Sequence, residues 1–203
     1  MAKARPPFRF VPFPPDEPPT DLPPLAEQPL EQSWRLHWEP NPVRRKRHRP
    51  GLSRFDAPRG EYGVTYVNED RMAPFAEVYG DVRVLTKSEA PRRWSRIHAT
   101  RPLRILQLDA EGVAAAFGLD LRIATELDYE RTQAWSAAWH EWYAEADGIR
   151  YLGRKAMKHL NYALFLDRCG DHLRYRTEGK LIEMWSDGLR ACARHGIVPE
   201  LYF

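Results

Sequence analysis

The chain has 203 residues, of which 43% are hydrophobic, and carries a formal net charge of +3. This length suits one domain with its own core and leaves little room for a second. Two cysteines cannot supply a disulfide framework or a four-ligand zinc site, so we expect Cys169 and Cys192 to be buried free thiols. No run approaches the ~20 apolar residues of a membrane span, and no signal-peptide core follows the N-terminus, so we expect a cytoplasmic protein.

The N-terminal segment is rich in proline. Thirteen of the 18 prolines lie in residues 1–50, and no glycine precedes Gly51. Proline has no backbone N–H and a fixed φ, so we expect neither a regular helix nor a central strand over residues 5–30. The segment is nevertheless too apolar for a free linker. We therefore predict an extended arm over residues 1–32, lying on its own domain or on a partner subunit, and one domain over residues 33–203.

From Trp34 onward the pattern is that of a globular domain. Strands are predicted at residues 63–67, 81–86, 103–108, 149–152, 162–166 and 197–203 from their β-branched and apolar residues. Apolar spacing predicts helices at residues 72–79, 109–117, about 129–145 and through 181–192. Because strands and helices do not alternate regularly, the order favours an α+β fold over a doubly wound parallel sheet.

Standard catalytic motifs are absent from the sequence. It has no GxGxxG, GxxxxGK[ST], HExxH, GxSxG or CxxC. These absences argue against a Rossmann dehydrogenase, a P-loop NTPase, a zincin and an α/β-hydrolase.

A group of polar residues in the first half is the strongest candidate site. Arg35 and Arg54 could grip an anion, and Tyr66 lies in a predicted strand. Glu77 lies off the apolar stripe of its predicted helix, so core packing does not account for it. Taken singly, each has an ordinary explanation: surface charge for the arginines and the glutamate, and core packing for the tyrosine.

Seven short motifs follow one another between roughly residues 33 and 170. They are Trp34-Arg35, Arg54-Phe55-Asp56, Tyr66-Val67, Ala76-Glu77, Gln133-Ala134-Trp135, Asp147-Gly148-Ile149-Arg150-Tyr151 and Asn161-Tyr162-Ala163-Leu164-Phe165. In this order they resemble the RES domain. The resemblance implies an ADP-ribosyltransferase-like mixed β core with packed helices. It also implies a bacterial toxin that consumes NAD by phosphorolysis, hydrolysis or ADP-ribosyl transfer.

The resemblance also assigns roles to individual residues. Arg54 and Glu77 match the arginine and glutamate of the family name, and Arg35 and Tyr66 are further pocket residues. The family serine falls at Gly153, beside Arg154, so one hydroxyl is missing. The catalytic residues implied are Glu77, Arg54 and Tyr66, and those that hold NAD are Arg35, Arg54, Tyr66, Gly153 and Arg154.

Ligands and partners follow from the same resemblance. NAD is the expected substrate and phosphate a candidate co-substrate, with no metal ion. An antitoxin protein and a homo-oligomer are open as partners, whereas a membrane and nucleic acid are not expected. The alternative function is a non-catalytic nucleotide- or RNA-binding protein that uses the basic run at residues 44–49.

Overall fold

The computed structural model describes residues 11–43, 52–155 and 158–200. Within these ranges the chain forms a large sheet and a small one. In chain order the strands are β1 (Ala26–Gln28), β2 (Ser33–His37), β3 (Val64–Asn68), β4 (Val84–Leu85), β5 (Arg93–Ala99), β6 (Leu103–Gln107), β7 (Gly148–Leu152), β8 (Leu160–Phe165), β9 (Leu173–Lys180) and β10 (Val198–Pro199).

Five α-helices occur in the described ranges. They are α1 (Ala73–Tyr79), α2 (Val113–Ala116), α3 (Tyr129–Trp142), α4 (Leu166–Cys169) and α5 (Trp185–His195). In the part of the chain that the structure covers, no helix is both long and apolar enough to cross a membrane.

The large sheet has eight strands in the order β1-β6-β7-β8-β3-β2-β5-β9. Strands β6 and β7 run parallel, and every other neighbouring pair in this sheet is antiparallel. Strands β4 and β10 pair in parallel as a separate small sheet. The fold is therefore a mixed α+β arrangement, as the irregular order of predicted elements indicated.

The two faces of the large sheet carry different side chains. On β3, Tyr66 and Asn68 point to one face, and Thr65 and Val67 to the other, because side chains alternate along a strand. The Tyr66 face packs against α3 over β6–β8, and against α1 and α5 over β2 and β5. A gap remains between these two packed regions. The opposite face carries its own cluster, which includes Val67 and the buried free thiol of Cys169.

Residues 11–32 contact the rest of the domain at several points. The Trp135 Nε1–H donates to the Pro12 carbonyl at 2.7 Å, and the Tyr143 hydroxyl donates to the Pro23 carbonyl at 2.8 Å. Strand β1 pairs with β6 at the edge of the large sheet. That residues 1–32 form a separate arm stays a prediction, and residues 1–10 lie outside the described residues.

The structure corrects several predicted elements. The helix predicted over residues 109–117 is reduced to α2, because Gly112 has φ 77° and Asp109 accepts two hydrogen bonds from Arg150 instead of capping a helix. The strand predicted at 81–86 is reduced to β4. The strand predicted at 197–203 is represented by β10, and residues 201–203 lie outside the described residues.

Candidate active site

A cavity of about 380 Å³ opens in the gap on the Tyr66 face of the sheet. Its walls come from the loop before β3, from α1, from the start of α3, and from β7 and β8. The lining residues are Leu52, Ser53, Arg54, Tyr66, Val67, Asn68, Glu77, Val78, Asp81, Tyr129, Tyr151, Arg154, Lys155 and Asn161.

The Arg54-Phe55-Asp56 segment forms one wall, and its local structure explains each residue type. Phe55 is fully buried in the core beneath α3. The Asp56 carboxylate accepts hydrogen bonds from the Ser53 N–H at 2.9 Å and from the Tyr66 hydroxyl at 3.0 Å. The Phe55 N–H in turn donates to the Tyr66 hydroxyl at 3.0 Å. The loop is thus fastened to β3, which fixes the position of Arg54.

Arg54 carries a charge into a position that is only 9% exposed. Its Nη1 donates to the Ala124 carbonyl, and its guanidinium carbon lies 5.6 Å from the centre of the Tyr129 ring. Its Nε is buried and has no hydrogen-bond partner among the described residues. A buried N–H without an acceptor costs free energy, so this donor indicates a place where a ligand oxygen can bind.

Tyr66 uses its hydroxyl within the protein. Burial, assisted by the Asp56 charge, raises the pKa of Tyr66 well above its ordinary value. The hydroxyl therefore stays protonated and donates to Asp56.

Glu77 faces the cavity from α1, on the side away from the buried Phe75 and Tyr79. Its Oε1 accepts a hydrogen bond of 3.2 Å from Nδ2 of Asn161 on β8. Burial and the Glu77 charge together raise the pKa of Tyr151, which lies on the neighbouring strand β7. Glu77 and Tyr151 both line the same cavity.

The mouth of the cavity carries two cations that share one carboxylate. Arg154 Nη2 donates to Asp81 at 2.7 and 2.8 Å, and Lys155 Nζ lies 2.6 Å from the same group. The hydrogen bond from Lys155, followed by the charges of both cations, lowers the pKa of Asp81. The Asp81 side chain is 64% exposed, whereas those of Arg154 and Lys155 are 21% and 14% exposed. The two cations thus lie at the cavity wall, and the carboxylate that pairs with them faces solvent.

Residues 32–187, most of the chain, match the family model of the RES domain. The chain belongs to the RES domain family. Its fold is also similar to that of a chain in the crystal structure of the M. tuberculosis MbcT–MbcA toxin–antitoxin complex. The two are 16% identical, with a TM-score of 0.54 over 80% of this chain and 91% of the other. No curated protein matches the sequence.

The structure brings four of the predicted site residues of this RES domain to one cavity. Arg54, Tyr66, Glu77 and Arg154 all line it. Gly153 does not line it; this residue follows β7, is buried, and donates its N–H to the His159 carbonyl at 3.0 Å.

Arg35 lies on the other face of the RES domain sheet. Its Nη1 donates to the Thr65 hydroxyl, and Thr65 points away from Tyr66. Burial lowers the pKa of Arg35, and the residue is not among those that line the cavity. Its hydrogen-bond partner Thr65 and its partner in strand register, Ser95, place it behind the cavity floor.

Sequence reasoning missed several residues of the cavity. Asn68, Tyr129, Tyr151 and Asn161 line it but were not assigned roles. Asn161 and Tyr151 do lie in two of the RES-like motifs, which was a usable signal. No sequence signal marked Asn68, because only the pairing of β3 with β8 places it opposite Asn161. The basic run at residues 44–49 lies outside the described residues.

Proposed function

We propose that this RES domain protein cleaves the bond between nicotinamide and ribose in NAD, as the toxin of a toxin–antitoxin pair. The proposal depends on one observation: a single cavity is lined by the Glu77 carboxylate and by the buried Arg54 guanidinium, whose Nε–H has no acceptor among the described residues. Arg154 and Lys155 add exchangeable positive charge at its mouth.

The chemistry needs little beyond these groups. The nicotinamide of NAD is a cationic pyridinium, so it takes the electrons of the C–N bond and leaves neutral, without a general acid. The ribose gains oxocarbenium character as that bond breaks, and a nearby carboxylate stabilises the positive charge. Glu77 has this role. The acceptor that attacks the ribose carbon is phosphate, water or a protein side chain.

Cationic side chains of the cavity hold the diphosphate of NAD. Arg54 offers its Nε, and Arg154 and Lys155 bind a phosphate once Asp81 has been displaced. These residues take the NAD-holding role that the resemblance implied for Arg35. Arg35 instead supports the sheet from behind, through Thr65.

Tyr66 contributes its ring rather than its hydroxyl, since the hydroxyl is bound to Asp56. Gly153 supplies no side chain, so the hydroxyl of the family serine is missing. Losing one hydrogen bond costs about 1–3 kcal/mol, which slows the reaction without abolishing it.

The fold and the neighbour's partner support the wider proposal. The cleft between two packed regions of a mixed sheet suits an ADP-ribosyltransferase-like architecture, with residues 1–32 as an arm. The similar M. tuberculosis chain comes from a toxin–antitoxin complex, which supports an antitoxin partner for this chain.

Product analysis tests the proposal directly. The purified protein is incubated with NAD, with and without phosphate, and the products are identified by mass spectrometry. We expect free nicotinamide in every active reaction, with ADP-ribose 1″-phosphate if phosphate is the acceptor and ADP-ribose if it is water. Intact NAD under all conditions would reject the proposal.

Glu77→Gln separates chemistry from binding. Loss of a preorganised charge contact typically costs about 3–4 kcal/mol, so we expect turnover to fall about a hundredfold to a thousandfold. NAD affinity and the melting temperature should hold, because the diphosphate contacts are elsewhere. Glu111→Gln, at an exposed position outside the cavity, is the matched control and should behave as wild type.

A further inference from the structure

Asn68, Asn161 and Glu77 form a chain of hydrogen bonds at the floor of the cavity. Asn68 Nδ2 donates to Asn161 Oδ1, and Asn161 Nδ2 donates to Glu77 Oε1 at 3.2 Å. The two asparagines are paired in register on β3 and β8. They are 7% and 2% exposed, so water does not compete strongly for their amides.

The chain has a direction, because an amide accepts at its oxygen and donates at its nitrogen. Asn68 occupies the oxygen of Asn161, so the nitrogen of Asn161 is the end that faces Glu77. An asparagine turned the other way would place its oxygen against the carboxylate oxygen, and the two would repel. Asn68 and Glu77 therefore favour the same orientation of the Asn161 amide.

We propose that Asn68 and Asn161 are positioning residues that hold the Glu77 carboxylate in its reactive orientation. The inference rests on the proposed function, since it assigns a role to the carboxylate of that site. Burying two asparagine side chains costs free energy of desolvation, which apolar side chains at the same positions would not. The neighbouring cross-strand pair, Tyr66 and Ala163, is packed into the core. Their retention at the cavity floor is explained if they orient the carboxylate above them.

Two substitutions at position 68 distinguish orientation from packing. Asn68→Leu keeps the number of side-chain heavy atoms and the branched shape but has no polar atom, so nothing donates to Asn161 Oδ1. Asn68→Ala removes the same donor and also leaves a small void. Orientation therefore predicts that both variants lose activity, whereas packing predicts that only Asn68→Ala does.

The kinetic experiment compares kcat and KM for NAD in wild type and in both variants. We expect kcat to fall up to about a hundredfold in Asn68→Leu and in Asn68→Ala, the range for misplacement of a reacting group. KM should be unchanged in both. An active wild type with full kcat in Asn68→Leu overturns the inference and leaves the proposed function standing.

A stability cycle gives a readout that needs no turnover. The donor lost in Asn68→Leu matters only while Asn161 offers its oxygen. The loss of melting temperature caused by Asn68→Leu should therefore be smaller in an Asn161→Leu background than in wild type. Equal losses in the two backgrounds would overturn the chain of hydrogen bonds itself. If wild type leaves NAD intact while the cycle shows coupling, the proposed function fails and the catalytic part of this inference fails with it.

Discussion

The guanidinium of Arg54 is largely removed from solvent, and its contacts within the protein replace only some of the hydrogen bonds that water would make. The Ala124 carbonyl and the Tyr129 ring compensate for some of its hydration, but Nε has no partner in the described structure. A planar guanidinium can use its remaining donor without giving up the bond to Ala124. A lysine ammonium in the same place offers one point charge on a flexible stem.

Arg54→Lys should therefore weaken NAD binding although the charge is kept. The loss could reach about 1–3 kcal/mol, measured as an increase in Kd by calorimetry. The exposed Arg59, changed to Lys, is the control and should leave Kd unchanged. An unaltered Kd in Arg54→Lys would remove Arg54 from the ligand contacts.

His37 shows how a buried residue makes stability depend on pH. Its Nδ1 bonds to the Glu39 carbonyl at 2.7 Å and its Nε2 to the Ser95 hydroxyl at 2.8 Å. Burial, with the nearby Arg35 charge, lowers the pKa of His37 from 6.5 to about 4. The folded protein therefore keeps this ring neutral at pH values where the unfolded chain protonates it.

Stability should accordingly fall as the pH drops from about 6.5 towards 4, because the unfolded chain binds the extra proton there. At about 1.36 kcal/mol per pKa unit, His37 contributes at most about 3 kcal/mol to this loss. Urea unfolding of wild type and His37→Gln between about pH 7.5 and 4.5 measures it. Parallel pH dependences in the two proteins would show that His37 is not responsible.

At the scale of elements, strand β8 leaves no room for a side chain at Gly148 of β7. A Cβ on Gly148 would lie 2.5 Å from the Ala163 carbonyl oxygen and 2.9 Å from the Leu164 Cα, both backbone atoms of β8. These two strands also carry Tyr151 and Asn161. The glycine in the Asp147-Gly148 motif is thus explained by the spacing of the strands beneath the cavity.

Gly148→Ala should destabilise the protein by about 1–3 kcal/mol, the usual cost of overpacking. Gly170→Ala is the matched control, since its Cβ would find the nearest atom at 3.7 Å, an ordinary contact. Denaturant unfolding of both variants gives the comparison. Equal stabilities would mean that β7 and β8 separate at little cost.

A regular apolar pattern predicted some elements, but the pattern at 109–117 did not give a full helix and β2, with Trp34 and Leu36 buried, was not predicted. Strand β3 and helix α3 follow their patterns closely. Strand β9, at the sheet edge, reads Leu-Arg-Tyr-Arg-Thr-Glu-Gly-Lys and is largely exposed, so it carries no alternation that burial would impose. The motif order also gave the cavity residues Arg54 and Glu77. The face on which Arg35 lies depends on strand register, which no local pattern contains.

At the scale of the whole molecule, the described part of the proline-rich segment packs against the rest of the domain. Leu30 is buried at 4% exposure, β1 extends the large sheet, and Trp135 and Tyr143 find their acceptors at Pro12 and Pro23. A chain beginning at Glu31 should therefore melt at a lower temperature and be less soluble. A chain beginning at Val11 keeps these contacts and is the control. If the chain beginning at Glu31 has the melting temperature and solubility of the control, residues 11–30 do not stabilise the domain.

The pairing of β3 with β8 also has a consequence for when the candidate site forms. Asn68 and Asn161 are 93 positions apart, and Glu77 contacts the second of them. Contacts between such distant residues form late, because a long loop must close first. During synthesis the chain has no complete cavity floor until β8 has emerged and docked on β3. A chain that ends before β8 therefore lacks the cavity floor, so the proposed activity requires most of the domain.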